Sequence, residues 1–192
     1  MKLKGQRVLM PTSNEFEDTE LLYPLLRLSE EGAWITIGIH HAGFAARPYI
    51  PNKPITGRFG TPVPPVILAE GRRFDIKPVV EARADEYDAV VIPGGFSPDF
   101  LRRDQRICDL IGQMHHQGKV IAAICHAPWL LISAGIVRGK NVTSLVSLRD
   151  DLKNAGAVYH DQAVVIDGNI ITSRFPDDLP DFCLAIIAAM AN

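Results

Sequence analysis

A chain of 192 residues, 47% of them apolar, is long enough to bury one full-sized core, so a single domain over residues 1–192 is expected. Twenty basic against twenty-two acidic residues leave a net charge of −2; no field draws the chain to nucleic acid or anionic lipid, and no nucleic-acid surface is expected. The longest apolar stretch, residues 184–191, is too short for a bilayer, the N-terminus lacks a signal-type apolar region, and three cysteines make no disulfide framework, which together point to a cytoplasmic protein with free thiols and no membrane contact.

Val8, Leu9 and Met10 form a short strand, and after Thr12-Ser-Asn14 a helical pattern follows through Leu21, Leu22, Leu25, Leu26 and Leu28 to a stop at Gly32. Residues 34–39 are again β-rich, so the first forty residues read as a βαβ unit with parallel strands. Residues 42–78 hold seven of the fourteen prolines and little periodicity; they read as an irregular Pro-rich insertion, a lid or contact surface, with room for a short hairpin.

Ala89-Val-Val-Ile92 and Val120-Ile-Ala-Ala-Ile124 are continuously apolar, as strands buried on both faces of a parallel sheet are. Between them a helix is expected over 98–118, with Ile107, Cys108, Ile111 and Met114 on its buried face. Helices at 128–134, 148–155 and 178–190, a strand at 141–143 and a hairpin turning at Asp167-Gly168 complete the chain. This order describes an α/β, flavodoxin-like three-layer αβα sandwich with a mostly parallel central sheet.

Cys125 follows a buried strand and precedes His126-Ala-Pro128, a proline suited to the first position of a helix. A cysteine on such a nucleophile elbow faces free amides and the positive end of a helix dipole, which is expected to lower its pKa; a buried core cysteine ending a strand is the competing reading. A second strand ends in Ile92-Pro-Gly-Gly95 at the same sheet edge, so the backbone N–H groups of Gly95 and His126 are candidates for an oxyanion site. Asn14-Glu-Phe-Glu-Asp18 lies at that edge too and could bring a carboxylate to the thiol, although Asp18 and Glu20 at a helix start also complement its dipole. Cys108 and Cys183 lie among apolar residues and read as inert core. The His40-His41 and His115-His116 pairs lack a third ligand at helical spacing, so no metal and no other cofactor is expected.

With these motifs in place, the sequence resembles the ThiJ/PfpI superfamily, in particular its PfpI-like intracellular protease and deglycase branch, whose fold is that of class I glutamine amidotransferases. Besides the segments quoted, Leu131-Ile-Ser-Ala-Gly135, Val165-Ile-Asp-Gly168 and Thr172-Ser-Arg-Phe-Pro-Asp-Asp-Leu179 carry the match across most of the chain. The resemblance implies that Cys125 is the nucleophile, that Glu17 contacts its thiol, and that His126 assists proton transfer. It further implies a homodimer or hexamer in which an acidic residue after the Gly-Gly turn, here Asp99 where the family has glutamate, reaches the histidine across a subunit interface. Ala127, where the family has glycine, and the 42–78 segment are further departures. Because adjacent helical residues diverge by about a hundred degrees, His126 is not expected to hydrogen-bond Cys125 directly.

The leading functional expectation is a cofactor-independent cysteine enzyme, a hydrolase or lyase acting on small carbonyl compounds such as methylglyoxal and glyoxal (glyoxalase type) or on glycated protein and nucleotide (deglycase type). The alternatives are a PfpI-type intracellular cysteine peptidase and, outside enzymology, an oxidative-stress thiol sensor or chaperone. Glutamine amidotransfer needs a downstream His-x-Glu, and the only later histidine, His160, is followed by Asp161-Gln162.

Overall fold

The computed structural model describes residues 1–41, 54–63 and 74–191. Seven strands form one sheet in the order β3-β2-β1-β4-β5-β9-β8: β1 Arg7–Thr12, β2 Trp34–Ile39, β3 Phe74–Pro78, β4 Ala89–Ile92, β5 Val120–Ile124, β8 Val164–Asp167 and β9 Ile170–Ser173. All neighbours pair in parallel except β8 with β9, the hairpin through Asp167-Gly168. The short strands β6 Asn141–Val142 and β7 Val158–Tyr159 make a separate parallel pair.

Strand side chains alternate between two apolar cores, as a sheet covered on both faces requires. Val8, Met10, Ala89, Val91, Ala122 and Ile124 face one core, shared with helices α1 Asp18–Glu30 and α6 Leu179–Met190. Leu9, Val90, Ile92, Ile121 and Ala123 face the other, covered by α3 Gln105–His116, α4 Pro128–Ser133 and α5 Arg149–Asn154. The expected αβα sandwich is therefore the observed fold, with β4 and β5 at its centre.

Two local expectations change and one is met. The helix expected over 98–118 is two helices, α2 Ser97–Leu101 and α3, because Asp104 stops the first turn and caps α3 by accepting the Arg106 N–H at 3.1 Å. Within 42–78, residues 74–78 are a regular edge strand, and Pro78 is tolerated at its last position because an edge strand has an unpaired side. Residues 54–63 contain the short hairpin allowed for, closed by an antiparallel bridge between Thr56 and Pro62; the rest of that segment lies outside the described residues.

Candidate active site

The carboxyl ends of β1, β4 and β5 deliver three loops to one place. Phe16, after β1, bridges to Gly95, after β4, and the Phe96 N–H bonds the Glu15 carbonyl at 2.8 Å. Gly94 and Gly95 are needed at this crossing. A Cβ on Gly94 would stand 2.7 Å from both the Cys125 Cβ and Glu20 Oε2, and Gly95, with φ +68°, presses against the Glu15 and Phe16 backbone.

Cys125 follows the last residue of β5 with φ +61°, the left-handed region that costs a non-glycine residue strain and is held only where the surroundings dictate it. Here its N–H donates to the Ser173 carbonyl at 3.1 Å and its carbonyl accepts the Leu145 N–H at 3.2 Å. The turn aims Sγ at the N–H groups of Gly95 and His126, both of which hydrogen-bond it. The two expected amides and the expected thiol thus meet.

Three expectations about the neighbours are corrected. The carboxyl group that addresses the thiol is Glu20, not Glu17. Because α1 starts at Asp18, Glu17 stands just outside the helix and its carboxylate accepts the Thr19 hydroxyl at 3.3 Å, whereas Glu20 in the first turn is fully buried. Glu20 Oε2 accepts the Gly94 N–H at 2.7 Å; Oε1 is buried without a nitrogen or oxygen partner, and the Cys125 thiol is a polar group with which the carboxyl interacts. Burial, reinforced by the Glu17 charge, pushes Glu20 up to about 8 against the opposing pull of the Gly94 N–H. Sequence offered one signal for it: Glu20 shares the i, i+4, i+8 stripe of α1 with buried Pro24 and Leu28.

Second, the thiol is not lowered. Burial first, then the Glu20 carboxylate, push Cys125 up to about 12, outweighing the Gly95 and His126 amides that favour the thiolate. Third, His126 Nδ1 lies 3.2 Å from the Cys125 sulfur. The divergence of adjacent helical side chains does not apply, because α4 begins only at Pro128 and Cys125 is left-handed. Burial and then the Arg58 charge hold His126 below the usual histidine range, so the ring is neutral at pH 7 and can accept the thiol proton.

Asp99 is brought to α2 but not to His126 within this chain; its carboxylate pairs with Arg103 one turn on. Two aromatic residues flank the imidazole instead. Phe96 stacks at 6.4 Å between centroids and 16° between planes, and Trp129 lies at 5.1 Å, its Nε1 tied to Asp151 at 2.8 Å. Cys108 and Cys183 are buried and raised by that burial, with none of these partners.

Comparison with known proteins gives the family to which this chain belongs. The DJ-1/PfpI family model matches residues 6–189. Among relatives, deglycase PfpI of Pyrococcus furiosus is 39% identical over 173 residues, 90% of this chain and 92% of the relative. Protein/nucleic acid deglycase 2 of Escherichia coli is 35% identical over 179 residues, 93% and 94% of the two chains. Among solved structures, a two-domain protein from Anabaena variabilis with DJ-1/ThiJ/PfpI-like and ferritin-like domains superposes with a TM-score of 0.81 at 35% identity, over 95% of this chain and 49% of that one. Drosophila melanogaster DJ-1beta gives 0.75 at 27% identity, over 97% and 90%. The chain belongs to the DJ-1/PfpI family, in its PfpI-like deglycase branch.

Proposed function

We propose that the protein is a cofactor-independent cysteine enzyme that attacks reactive 1,2-dicarbonyl compounds, free or as their adducts on amines. The observation that carries this reading is the strained Cys125 held between two amide donors, a protonated buried carboxyl and a neutral imidazole. In the reaction His126, or Glu20 once it has given up its own proton, takes the thiol proton and the sulfur adds to the aldehyde carbon. The carbonyl oxygen becomes an oxyanion that the Gly95 and His126 N–H groups stabilise before it is protonated. A base then removes the proton on that carbon and an acid returns one to the adjacent carbonyl carbon, giving a thioester of a hydroxy acid. Water cleaves the thioester, releasing the hydroxy acid and regenerating the thiol, so methylglyoxal plus water gives lactate with no redox partner. An amine adduct, a carbinolamine at that same carbon, enters by exchange: the C–N bond breaks as the C–S bond forms, the amine leaves with the thiol proton, and the same hemithioacetal results.

To test this, purified protein is mixed with methylglyoxal and lactate is followed. Turnover lost in Cys125→Ala is expected, and wild-type turnover no greater than that of the variant would sink the proposal. Peptide hydrolysis is a second reading, favoured by the 3.2 Å contact between sulfur and imidazole; cleavage of a quenched peptide library, abolished in the same variant, would promote it. The proposal includes a homodimer or hexamer. Asp99, half-buried beside exposed Phe96, faces outward there, and exchanging its Arg103 partner for His126 of the partner subunit would complete the site. Sedimentation of wild type and Asp99→Asn tests that part: a monomeric wild type excludes it.

A further inference from the structure

The hairpin of residues 54–63 is fastened to the active-site loops. Its Thr56 carbonyl accepts the Glu15 N–H at 2.7 Å, the Arg58 N–H donates to the Phe16 carbonyl at 2.9 Å, and the Asp18 carboxylate accepts the N–H groups of Phe59 and Thr61, each at 2.9 Å. Gly57 fits only because it lacks a Cβ, which would strike that carboxylate at 2.4 Å. The position of Arg58 is therefore set by the fold.

Its exposed guanidinium lies 5.9 Å from the centroid of Phe96, the ring that stacks on His126. Among the described residues no carboxylate forms an ion pair with it. Its charge is felt inside the site, where it pulls Glu20 down against the larger effect of burial and pulls His126 down together with burial. At neutral pH neither of those groups carries a compensating negative charge. A guanidinium with no ion pair among the described residues, set over the aromatic ring that stacks on the active-site imidazole, is a recognition element for a planar or tetrahedral oxyanion.

We propose that Arg58 is a specificity residue that selects substrates bearing an oxyanion, a carboxylate or a phosphate, close to the carbonyl that Cys125 attacks. This rests on Cys125 being the nucleophile of the carbonyl reaction, but its test does not need turnover. Iodoacetate and iodoacetamide are nearly isosteric and differ in charge; both alkylate the Cys125 sulfur, which displaces iodide. Rates of Cys125 modification by each reagent are measured by mass spectrometry in wild type and Arg58→Gln. Any change in thiol acidity moves both rates together and cancels in their ratio. An exposed charge is expected to contribute roughly three- to fivefold, so the iodoacetate-to-iodoacetamide ratio falls by about that factor in the variant, and Arg58→Lys retains part of it. Raising the salt concentration shrinks the ratio in wild type and leaves Arg58→Gln nearly unaffected. Acetate and methyl phosphate as competitors distinguish the sources, the anion that protects Cys125 in wild type but not in Arg58→Gln being the one selected. An unchanged ratio, or protection by neither anion, overturns the proposal. Missing lactate formation with an Arg58-dependent ratio instead overturns the carbonyl reaction and keeps the anion preference.

Discussion

Cys125 and Glu20 both hold their protons harder than they would in water, the thiol to about 12 and the carboxyl to about 8. Near pH 7 the pair therefore keeps both protons, and raising the pH through about 8 removes the first. The remaining proton can sit on either group. When it sits on Glu20, the repulsion that adds to burial in raising the thiol is gone, and the Gly95 and His126 amides favour the thiolate against burial alone. The rate of Cys125 alkylation by iodoacetamide should accordingly climb with a midpoint near pH 8. Glu20→Gln keeps an oxygen for the Gly94 N–H and removes both the charge and the titrating proton. In that variant the step near pH 8 should vanish while alkylation persists, and turnover should fall by about a hundredfold because proton transfer is lost. Glu17→Gln should leave turnover near the wild-type value. The reverse pattern, with Glu17→Gln the inactive variant, would restore Glu17 as the partner of the thiol.

The first turn of α1 illustrates how one element serves both site and fold. Acidic residues there complement the helix dipole in general, yet Asp18 and Glu20 are both buried and have specific partners. Asp18 fastens the 54–63 hairpin through two N–H groups. Asp18→Ala leaves those amides without their acceptor and should cost about 2–3 kcal/mol in urea unfolding, with faster proteolysis confined to the hairpin; a loss near zero would show that the hairpin holds without it. Such roles explain what sequence could and could not reveal. The continuous apolar runs of β4 and β5 and the Cys125-His126-Ala-Pro128 turn carry their structure locally, so the sandwich and the elbow were legible. Strand β3 was not, because at the sheet edge Asp75, Lys77 and Pro78 have no second core to face. Choosing between Glu17 and Glu20 depended on where α1 begins, a boundary one residue wide. The pull of a short helix on Cys125 was legible as a sign but not as a magnitude, since burial depends on the assembled core.

Across the whole molecule, Glu20 makes stability depend on pH in the sense opposite to most carboxylates. Asp104, lowered to about 2 chiefly by the side-chain hydrogen bond from Arg106, and Asp167, lowered first by the Asn141 N–H, favour the folded state above their unfolded values and lose that contribution in acid. Glu20 is raised from 4.5 to about 8, so the folded state binds the proton more tightly than the unfolded chain. Its favourable contribution is complete below pH 4.5 and is lost as pH rises through about 8. A shift of that size amounts to a few kcal/mol. Glu20→Gln removes the titration, so its stability relative to wild type should rise between pH 4.5 and about 8 and then level off. Urea denaturation of the two proteins across that range measures the difference directly. A difference that does not change with pH would mean that Glu20 is ionised in the folded protein at neutral pH, and that its carboxylate stands ready beside His126 as a base for the thiol proton.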